Sequence, residues 1–361
     1  MINDLLKKLI EKEGSDLHLK VGNKPIIRVS GELVRIEEEP VLSPQSMIEL
    51  VKEMVTNKKR QQELDEELST DFSYSAPGLG RFRVNVSIAR GSFVVVIRAI
   101  PFDIPSIEAL KLPGVLKEIA KNQNGIILVT GATGSGKSTT VASMLDYINQ
   151  NFTKNIISFE EPIEYLHRDK QCIISQKEIP DDVKDYKTAL KYVLRQDPDI
   201  IFLGELRDQA TVEAALKASE TGHLVISTLH TVNATKTISR ILDFYPPEKA
   251  KSIRFQLAEN LRGVVSQRLL RTIDGGKRVI VEVMLNTGTI QELITTEEGM
   301  RRIPEIIKKS EQLGMQNFDT EILKLFRGGV IDFDTAYDAS TVKTEIEMAR
   351  MGISSGIEGM F

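Results

Sequence analysis

Eight residues near the middle of the chain have the composition and spacing of a phosphate-binding loop. The pattern G-x-x-x-x-G-K-[ST] is matched in full by Gly131-Ala132-Thr133-Gly134-Ser135-Gly136-Lys137-Ser138. Glycines at these places let backbone N–H groups close around phosphate oxygens at a helix N-terminus, where the helix dipole favours negative charge. Lys137 is then expected to reach the β- and γ-phosphates and Ser138 to bind Mg²⁺, with Thr139 as the last nucleotide-binding residue of the segment.

The residues on either side supply the strand and the helix that such a loop requires. An apolar run, Gly125–Thr130, comes directly before the loop. Apolar residues follow the loop at helical spacing: Val141, Met144, Leu145 and Ile148. A glycine-rich turn without a function would not need this context, so nucleotide binding is the favoured interpretation.

A second apolar run ends in an acid that is suited to activating water. Asp199–Leu203 is followed by Gly204 and Glu205. A strand in this place usually ends in two acids, of which one contacts Mg²⁺ through water and the next polarises the attacking water. Glycine takes the first place here, so Glu205 is predicted to be the catalytic acid, and a second carboxylate must come from elsewhere.

That carboxylate is predicted at the end of a third apolar run. Ile156–Phe159 is followed by Glu160, Glu161 and Glu164, and the carboxyl ends of strands in an open α/β sheet converge on the ligand crevice. We predict Glu160 and Glu164 as catalytic residues beside Glu205, with Glu160 and Glu205 contacting Mg²⁺ through water. The alternative is that some of these neighbouring acids only cover the surface.

Two histidines flank a fourth apolar run. His223 and His230 stand on either side of Leu224–Leu229. Their odd separation places them on opposite faces of a regular strand, so one metal ion bound by both is disfavoured. A histidine at a strand end is often structural, and the spacing alone does not decide between that and a catalytic role.

A pair of arginines is predicted on a hairpin in the first hundred residues. Apolar and polar residues alternate in Arg81–Ala89 and again in Phe93–Ala99, and the chain turns between them at Arg90-Gly91. The register that this turn sets puts Arg83 directly opposite Arg98. Like charges in opposite positions destabilise a sheet, so the pair indicates an anion between them. The alternative is that both side chains are solvated.

The elements that must position these residues fall into two predicted domains. Residues 1–100 combine short helices with alternating strands and are predicted to form a small α+β domain. Residues 101–113 contain three prolines and are predicted to be an extended linker. Residues 114–361 alternate apolar runs with helical segments, the pattern of a mainly parallel sheet covered on both faces. Helices are expected from about residue 288.

The composition limits the kinds of protein that the chain can be. With 41% apolar and 27% charged residues, it is an ordinary globular protein. The single Cys172 excludes an internal disulfide, and the net charge of −4 disfavours a nucleic-acid surface. No apolar run approaches the ~20 residues that span a bilayer, so we expect a cytoplasmic protein that does not insert into the membrane directly.

Four motifs together resemble those of the bacterial secretion-ATPase superfamily and, within it, the type IV pilus retraction ATPases of the PilT/PilU type. The likeness extends over nearly the whole chain. Its motifs are the Walker A loop Gly131–Ser138, an atypical Walker B Ile200–Asp208, an Asp box Phe159–Glu164, and a His box Thr221–Leu224 with Thr228–His230.

The resemblance implies a fold, an activity and partners. It implies a PAS-like N-terminal domain, a RecA-like ATPase domain with a helical C-terminal region, and a homohexameric ring that hydrolyses ATP with Mg²⁺. It implies that His230 and His223 are catalytic and that Arg83 and Arg98 reach phosphates across domains or subunits. It further implies pilus retraction and twitching motility at the cytoplasmic face of the inner membrane, with a membrane platform protein and a paralogous retraction ATPase as partners.

Two motifs depart from the family pattern. Glu161 stands where the Asp box normally has aspartate, so the carboxylate reaches one methylene further. The C-terminal retraction motif usually resembles Ala-Ile-Arg-Asn-Leu-Ile-Arg, whereas Thr289–Thr295 lacks both arginines. The second departure leaves the choice between PilT, PilU and another paralogue open.

Three other functions compete with retraction. An assembly or type II secretion ATPase would share the motor but usually carries a four-cysteine metal site, which one cysteine cannot form. A RecA-like nucleic-acid translocase should show a basic groove with stacking aromatic residues, and nothing in this sequence supports one. A regulatory subunit that binds ATP without turnover is disfavoured by the complete loop and Glu205.

Overall fold

The computed structural model describes residues 1–101 and 103–353 of the 361-residue chain. Phe102 of the predicted linker and residues 354–361 of the predicted second domain lie outside the described residues. The chain forms two compact units, Met1–Asp103 with Glu164–Leu166, and Ile104–Ile163 with His167–Phe361.

The first unit is a six-stranded antiparallel sheet with three helices. The strands are β1 (Asp16–Lys20), β2 (Ile26–Val29), β3 (Glu32–Arg35), β4 (Ser69–Ala76), β5 (Gly80–Ala89) and β6 (Ser92–Ala99), in the order β3-β2-β1-β6-β5-β4. The helices are α1 (Ile2–Glu11), α2 (Pro44–Met54) and α3 (Lys58–Glu67). Ser43 caps α2 in a capping box with Ser46, and Pro44 occupies the first turn, where its missing N–H costs nothing.

The hairpin of β5 and β6 has the predicted register. Arg83 lies opposite Arg98, and the apolar neighbours Phe82, Val84 and Ile97 are buried on the other face. Alternation of apolar and polar side chains sets such a register because a slip by one residue would expose the whole buried row.

The second unit contains a seven-stranded sheet. Its strands are β7 (Gly125–Gly131), β8 (Asn155–Glu160), β9 (Ile173–Glu178), β10 (Ile200–Leu203), β11 (Leu224–Leu229), β12 (Leu261–Arg271) and β13 (Lys277–Leu285), in the order β13-β12-β7-β11-β10-β8-β9. All neighbouring pairs are parallel except β12 with β13. The carboxyl ends of six strands therefore meet at one edge of the sheet.

Helices cover both faces of this sheet. They are α4 (Val115–Ala120), α5 (Lys137–Asn151), α6 (Tyr186–Val193), α7 (Gln209–Glu220), α8 (Ala234–Leu242) and α9 (Pro247–Asn260). Successive residues of β7 enter opposite cores: Ile126 and Leu128 belong to one hydrophobic cluster, and Ile127 and Val129 to the other. Burial on both faces explains why these strands read as continuous apolar runs.

The last part of the second unit is helical, beginning at Gly288. Its helices are α10 (Gly288–Ile294), α11 (Glu297–Lys309), α12 (Phe318–Arg327), α13 (Phe333–Ala339) and α14 (Lys343–Arg350), with a 3₁₀ turn at Glu311–Leu313. In the portion of the chain that the structure describes, no helix is both long and apolar enough to cross a bilayer.

The predicted extended linker, residues 101–113, differs from the structure from Ile104 onward. Residues from Ile104 onward belong to the second unit, and Ile107 and Leu112 are buried in its core. Pro105 and Pro113 keep the segment out of a helix, but its apolar side chains still have surface to bury.

Candidate active site

The phosphate-binding loop joins β7 to α5, and glycine is required at both ends of it. Gly131 has φ +149°, and a Cβ atom there would lie 2.5 Å from the Gln267 carbonyl oxygen and 2.5 Å from Ser135 Oγ. Gly136 has φ +91° and caps α5 in the left-handed conformation. These positions therefore exclude a side chain, and the loop folds tightly over the end of β7.

Lys137 lies inside this loop. Its side chain is buried, and its ammonium donates to the carbonyl oxygens of Gly131 at 2.9 Å and Ala132 at 3.1 Å. Ser138 and Thr139 follow in the first turn of α5 and are half-buried. The loop is thus held in place by its own lysine, and the contact of Lys137 with phosphates stays a prediction.

Gln267, on β12, contacts the phosphate-binding loop and was not predicted from the sequence. Its Nε2 donates to the Ser135 carbonyl oxygen at 2.7 Å, and the residue is 1% exposed. Gln267 Oε1 and Ser135 Oγ are buried without a hydrogen-bond partner in the described part of the chain. A polar residue at a buried strand position is the one signal that could have pointed to it.

The absence of the first acid from the Walker B motif has a steric reason. Gly204 follows β10 and donates its N–H to the Phe159 carbonyl oxygen at 2.8 Å. A Cβ atom at this position would lie 2.9 Å from the hydroxyl oxygen of Tyr186 and 3.4 Å from the Cα atom of Glu160. An acid at this position would therefore require the Tyr186 side chain to shift.

Glu205 lies at the centre of a chain of polar contacts. One carboxylate oxygen is 3.4 Å from His230 Nε2, and the other accepts a hydrogen bond from Arg207 Nε at 2.9 Å. The opposite nitrogen of the His230 ring, Nδ1, is 3.4 Å from Thr133 Oγ1 in the phosphate-binding loop. The structure therefore connects the loop, the end of β11 and the end of β10.

Arg207 extends this chain to the Asp box and was not among the predicted site residues. Its Nη1 donates to Glu161 Oε2 at 2.7 Å while its Nε donates to Glu205. The hydrogen bond to Glu205, followed by the charges of Glu161 and Glu205, outweighs burial and raises the pKa of Arg207. The available sequence signal was its position two residues after the predicted catalytic acid, Glu205. Its contact with Glu161 could not be read from the sequence.

Glu160 is placed at the same edge of the sheet. It is 8% exposed at the end of β8, where Phe159 pairs with Leu203 of β10. Its Oε1 accepts from Ser158 Oγ at 2.6 Å and from Gln176 Nε2 at 3.1 Å.

Glu164 lies beyond the end of β8 in the chain. The chain leaves the strand end after Glu160, Ile163 is buried, and the Glu164 side chain is exposed. Glu164 groups with the first unit, whereas Glu160 and Glu205 belong to the second. The catalytic role of Glu164 beside Glu160 and Glu205 therefore stays a prediction.

His223 and His230 lie at opposite ends of β11. His223 precedes β11, and His230 follows β11, so the two rings are about 20 Å apart at opposite edges of the sheet. His223 Nδ1 is 3.0 Å from the Ala218 carbonyl oxygen and 3.1 Å from Thr221 Oγ1, contacts that close the end of α7. Within this chain the contacts of His223 close a helix end, and its catalytic role stays a prediction.

One arginine of the hairpin pair, Arg98, forms an ion pair with a carboxylate of the same chain. Arg98 Nε donates to Asp16 Oδ1 at 2.8 Å, and Asp16 faces Arg98 on the neighbouring strand β1. Burial of Asp16 opposes its ionisation, but hydrogen bonds from Ser15 and Arg98 outweigh burial and lower its pKa. Asp16 therefore neutralises Arg98, and the prediction that a bound anion does so is wrong for this residue. Arg83 is exposed and has no ion pair among the described residues.

A cavity of about 410 Å³ adjoins the loop within the second unit. Ser135, Gly136 and Thr139 form its border with the loop. Apolar side chains and opposite charges form the remaining walls, among them Leu110, Leu269, Val330, Asp274, Lys277 and Arg278. A space of this size next to a phosphate site suits the nucleoside part of a nucleotide.

Comparisons with known proteins agree with this geometry. The model of the family described as "Type II/IV secretion system protein" matches residues 1–275. The Pseudomonas aeruginosa "Type IV pilus retractation ATPase PilT" is 40% identical, with 94% of this chain and 98% of that protein covered. The "Type IV pilus ATPase PilU" of the same species is 39% identical, with 92% and 86% covered.

A solved structure gives the same result for the fold. The crystal structure of "the Pilus Retraction Motor PilT and Bound ADP" superposes with a TM-score of 0.86 at 40% identity, covering 95% of this chain and 98% of that one. This likeness confirms the predicted fold class, an N-terminal α+β domain followed by a P-loop ATPase domain with C-terminal helices.

Proposed function

Since the chain belongs to the type II/IV secretion system protein family and is an ATPase, we propose that it powers the retraction of type IV pili. The observation that carries this proposal is the similarity to the PilT retraction ATPase over 94% of the chain. The complete loop with Lys137 and the contact of His230 with Glu205 support a working ATPase rather than a subunit that only binds nucleotide.

In this proposal the loop binds the nucleotide. Backbone N–H groups of Gly131–Ser138 hold the phosphates, Lys137 exchanges its two carbonyl contacts for the β- and γ-phosphates, and Thr139 continues the site toward the cavity. The adenosine part then lies in the cavity beside Ser135 and Gly136.

The residues present fit Mg²⁺. This ion prefers oxygen ligands and is usually held by one or two side chains, water and substrate phosphates, so no three-carboxylate cage is needed. Ser138 would bind it directly, and Glu160 and Glu205 would contact it through water. When bound, the ion would neutralise charge on the phosphate oxygens.

Glu205 is the proposed water-activating residue. Its carboxylate stands at a strand end beside His230, which in turn contacts Thr133 of the loop. A carboxylate held in this way can accept a hydrogen bond from the attacking water and orient it toward the γ-phosphate. His230 would then keep Glu205 aligned with the loop.

Arginines of the first unit are proposed to complete the site. Arg83 is exposed and without an ion pair in the described chain, so its guanidinium is available to a phosphate of another domain or subunit. Arg98 is held by Asp16 and would reach a phosphate only by changing that partner. A homohexameric ring would supply such subunit contacts, and its formation is part of the proposal.

We place the motor at the cytoplasmic face of the inner membrane, held by the membrane platform protein of the pilus. The family resemblance supports this location. A paralogous retraction ATPase is a second proposed partner, because Thr289–Thr295 lacks the arginines of the usual retraction motif. Copurification of the platform protein with a tagged chain tests the first contact.

Deleting the gene and counting surface pili tests retraction against its main alternative. Loss of a retraction motor should leave cells with more surface pili and without twitching, and expression of the wild-type chain should reverse both effects. Cells without pili would instead indicate an assembly ATPase. Unchanged pili and motility would contradict both functions.

A further inference from the structure

Arg207 joins the Walker B motif to the Asp box by direct ion pairs. Two different nitrogens of one guanidinium are used: Nε for Glu205 at 2.9 Å and Nη1 for Glu161 at 2.7 Å. The guanidinium is planar and rigid, so fixing it at Glu161 also fixes the direction from which it approaches Glu205.

The backbone of Arg207 is itself anchored. Its N–H donates to Thr211 Oγ1 at 3.2 Å, and Thr211 is 3% exposed in the capping box of α7. The preceding residue, Leu206, donates its N–H to the Thr228 carbonyl oxygen at 3.0 Å. The guanidinium therefore extends from a rigid base toward two carboxylates on neighbouring strand ends.

Stability alone does not account for this arrangement. The side chains of Arg207 and Glu161 are 48% and 40% exposed, and ion pairs between such exposed groups contribute little to the free energy of folding. Holding two long side chains in one geometry costs side-chain entropy, and such an arrangement is expected where the direction of a functional group matters. The neighbouring Glu205 side chain, at 23% exposed, is the less accessible partner and the one with a proposed chemical role.

We propose that Arg207 is a positioning residue for ATP hydrolysis, which fixes the direction of the Glu205 carboxylate by bridging it to Glu161. Glu161 serves as the second anchor, and this gives a function to the residue that departs from the usual aspartate. The inference rests on the proposed role of Glu205 in orienting the attacking water. It assigns no contact between Arg207 and the nucleotide.

Steady-state turnover of the full-length protein, measured as phosphate release, tests this inference. Arg207→Gln should lower kcat on the order of 10²-fold, since misplacing a catalytic group by about 1 Å has that effect. KM for ATP and the affinity for ADP should stay near wild type, because Arg207 does not contact the loop in the structure. The melting temperature should also be preserved.

A double-mutant cycle separates positioning from a general structural role. Arg207→Lys keeps the charge but offers one ammonium instead of two separate donors, so kcat should fall by about tenfold. Glu161→Gln should give a similar fall, because the second anchor is lost. In the Glu161→Gln background, Arg207→Lys should cost almost nothing further, since one donor then suffices for Glu205.

Three results would overturn the inference: wild-type kcat in Arg207→Gln, full multiplication of the two losses in the double variant, or an equal loss of ADP affinity. If Arg207→Gln fails to fold, Glu161→Gln alone still decides, because its side chain is exposed and wild-type turnover would exclude the bridge. Arg301→Gln, an exposed arginine on α11, is the matched control and should keep its turnover.

Glu205→Gln keeps the two proposals apart. If Glu205→Gln retains full turnover, the proposed role of Glu205 fails. If Glu205→Gln is inactive while Arg207→Gln turns over ATP at the wild-type rate, only the positioning role of Arg207 fails.

Discussion

Replacing Gln267 by leucine should loosen the phosphate-binding loop while leaving the core beneath it filled. The two side chains have similar volumes, so the change removes one hydrogen bond rather than creating a large cavity. The lost bond is the one from Nε2 to the Ser135 carbonyl oxygen, and both residues are buried. Gln267 Oε1 has no partner in the described structure, so its removal adds no cost.

The expected magnitude follows from the carbonyl group that loses its donor. A buried acceptor without a partner costs about 1–3 kcal/mol. If this cost falls on the conformation of the loop that binds phosphate, the Kd for ADP rises by about 5- to 150-fold. Gln267→Glu should be worse than Gln267→Leu, because it places a carboxylate against the Ser135 carbonyl and close to the phosphates.

Calorimetric titration of ADP into each variant measures this effect. Gln316→Leu is the matched control, since Gln316 Nε2 also donates to a backbone carbonyl, that of Val281 at 3.0 Å, but not in the loop. Both variants should lose some stability, whereas only Gln267→Leu should lose ADP affinity. Unchanged ADP affinity in Gln267→Leu, or an equal loss in Gln316→Leu, would refute the reasoning.

Three further predictions concern the other site residues. Lys137→Ala should abolish ADP binding and turnover, whereas Glu205→Gln should keep binding and lose turnover; equal loss of binding in both would contradict their separate roles. Asp16→Asn should cost about 1 kcal/mol at neutral pH, since Arg98 is 69% exposed. The pKa of Asp16 in the folded protein lies below its ordinary 3.8. The extra stability of the wild type over Asp16→Asn is therefore present above pH 3.8 and is lost as the pH falls through the folded pKa. A difference in melting temperature between the two proteins that does not shrink in acid would contradict this. Arg83→Ala should nearly abolish ATP turnover. If Arg83 acts on a neighbouring subunit, mixing the Arg83→Ala and Lys137→Ala proteins should restore some activity. Turnover of Arg83→Ala at the wild-type rate would show that Arg83 is only a solvated residue.

Local patterns were readable from the sequence. The strand, loop and helix around Gly131–Ser138 and the register of Arg83 with Arg98 depend on residues close together in the chain. In both cases the spacing of apolar residues sets the element, and burial of one face or both keeps it in place.

Contacts between distant segments were not readable. Gln267 is 132 residues from Ser135, and Arg207 is 46 residues from Glu161, and no spacing rule connects such pairs. The same limit explains one error: Asp16 meets Arg98 from 82 residues away, which removed the reason for a bound anion there.

Fluorescently labelled pili in living cells test most directly whether ATP hydrolysis at this loop shortens the pilus. Cells in which Glu205→Gln replaces the wild-type residue should extend pili but not shorten them, while the purified variant still binds ATP without turnover. Pilus shortening at the wild-type speed in those cells would contradict the account.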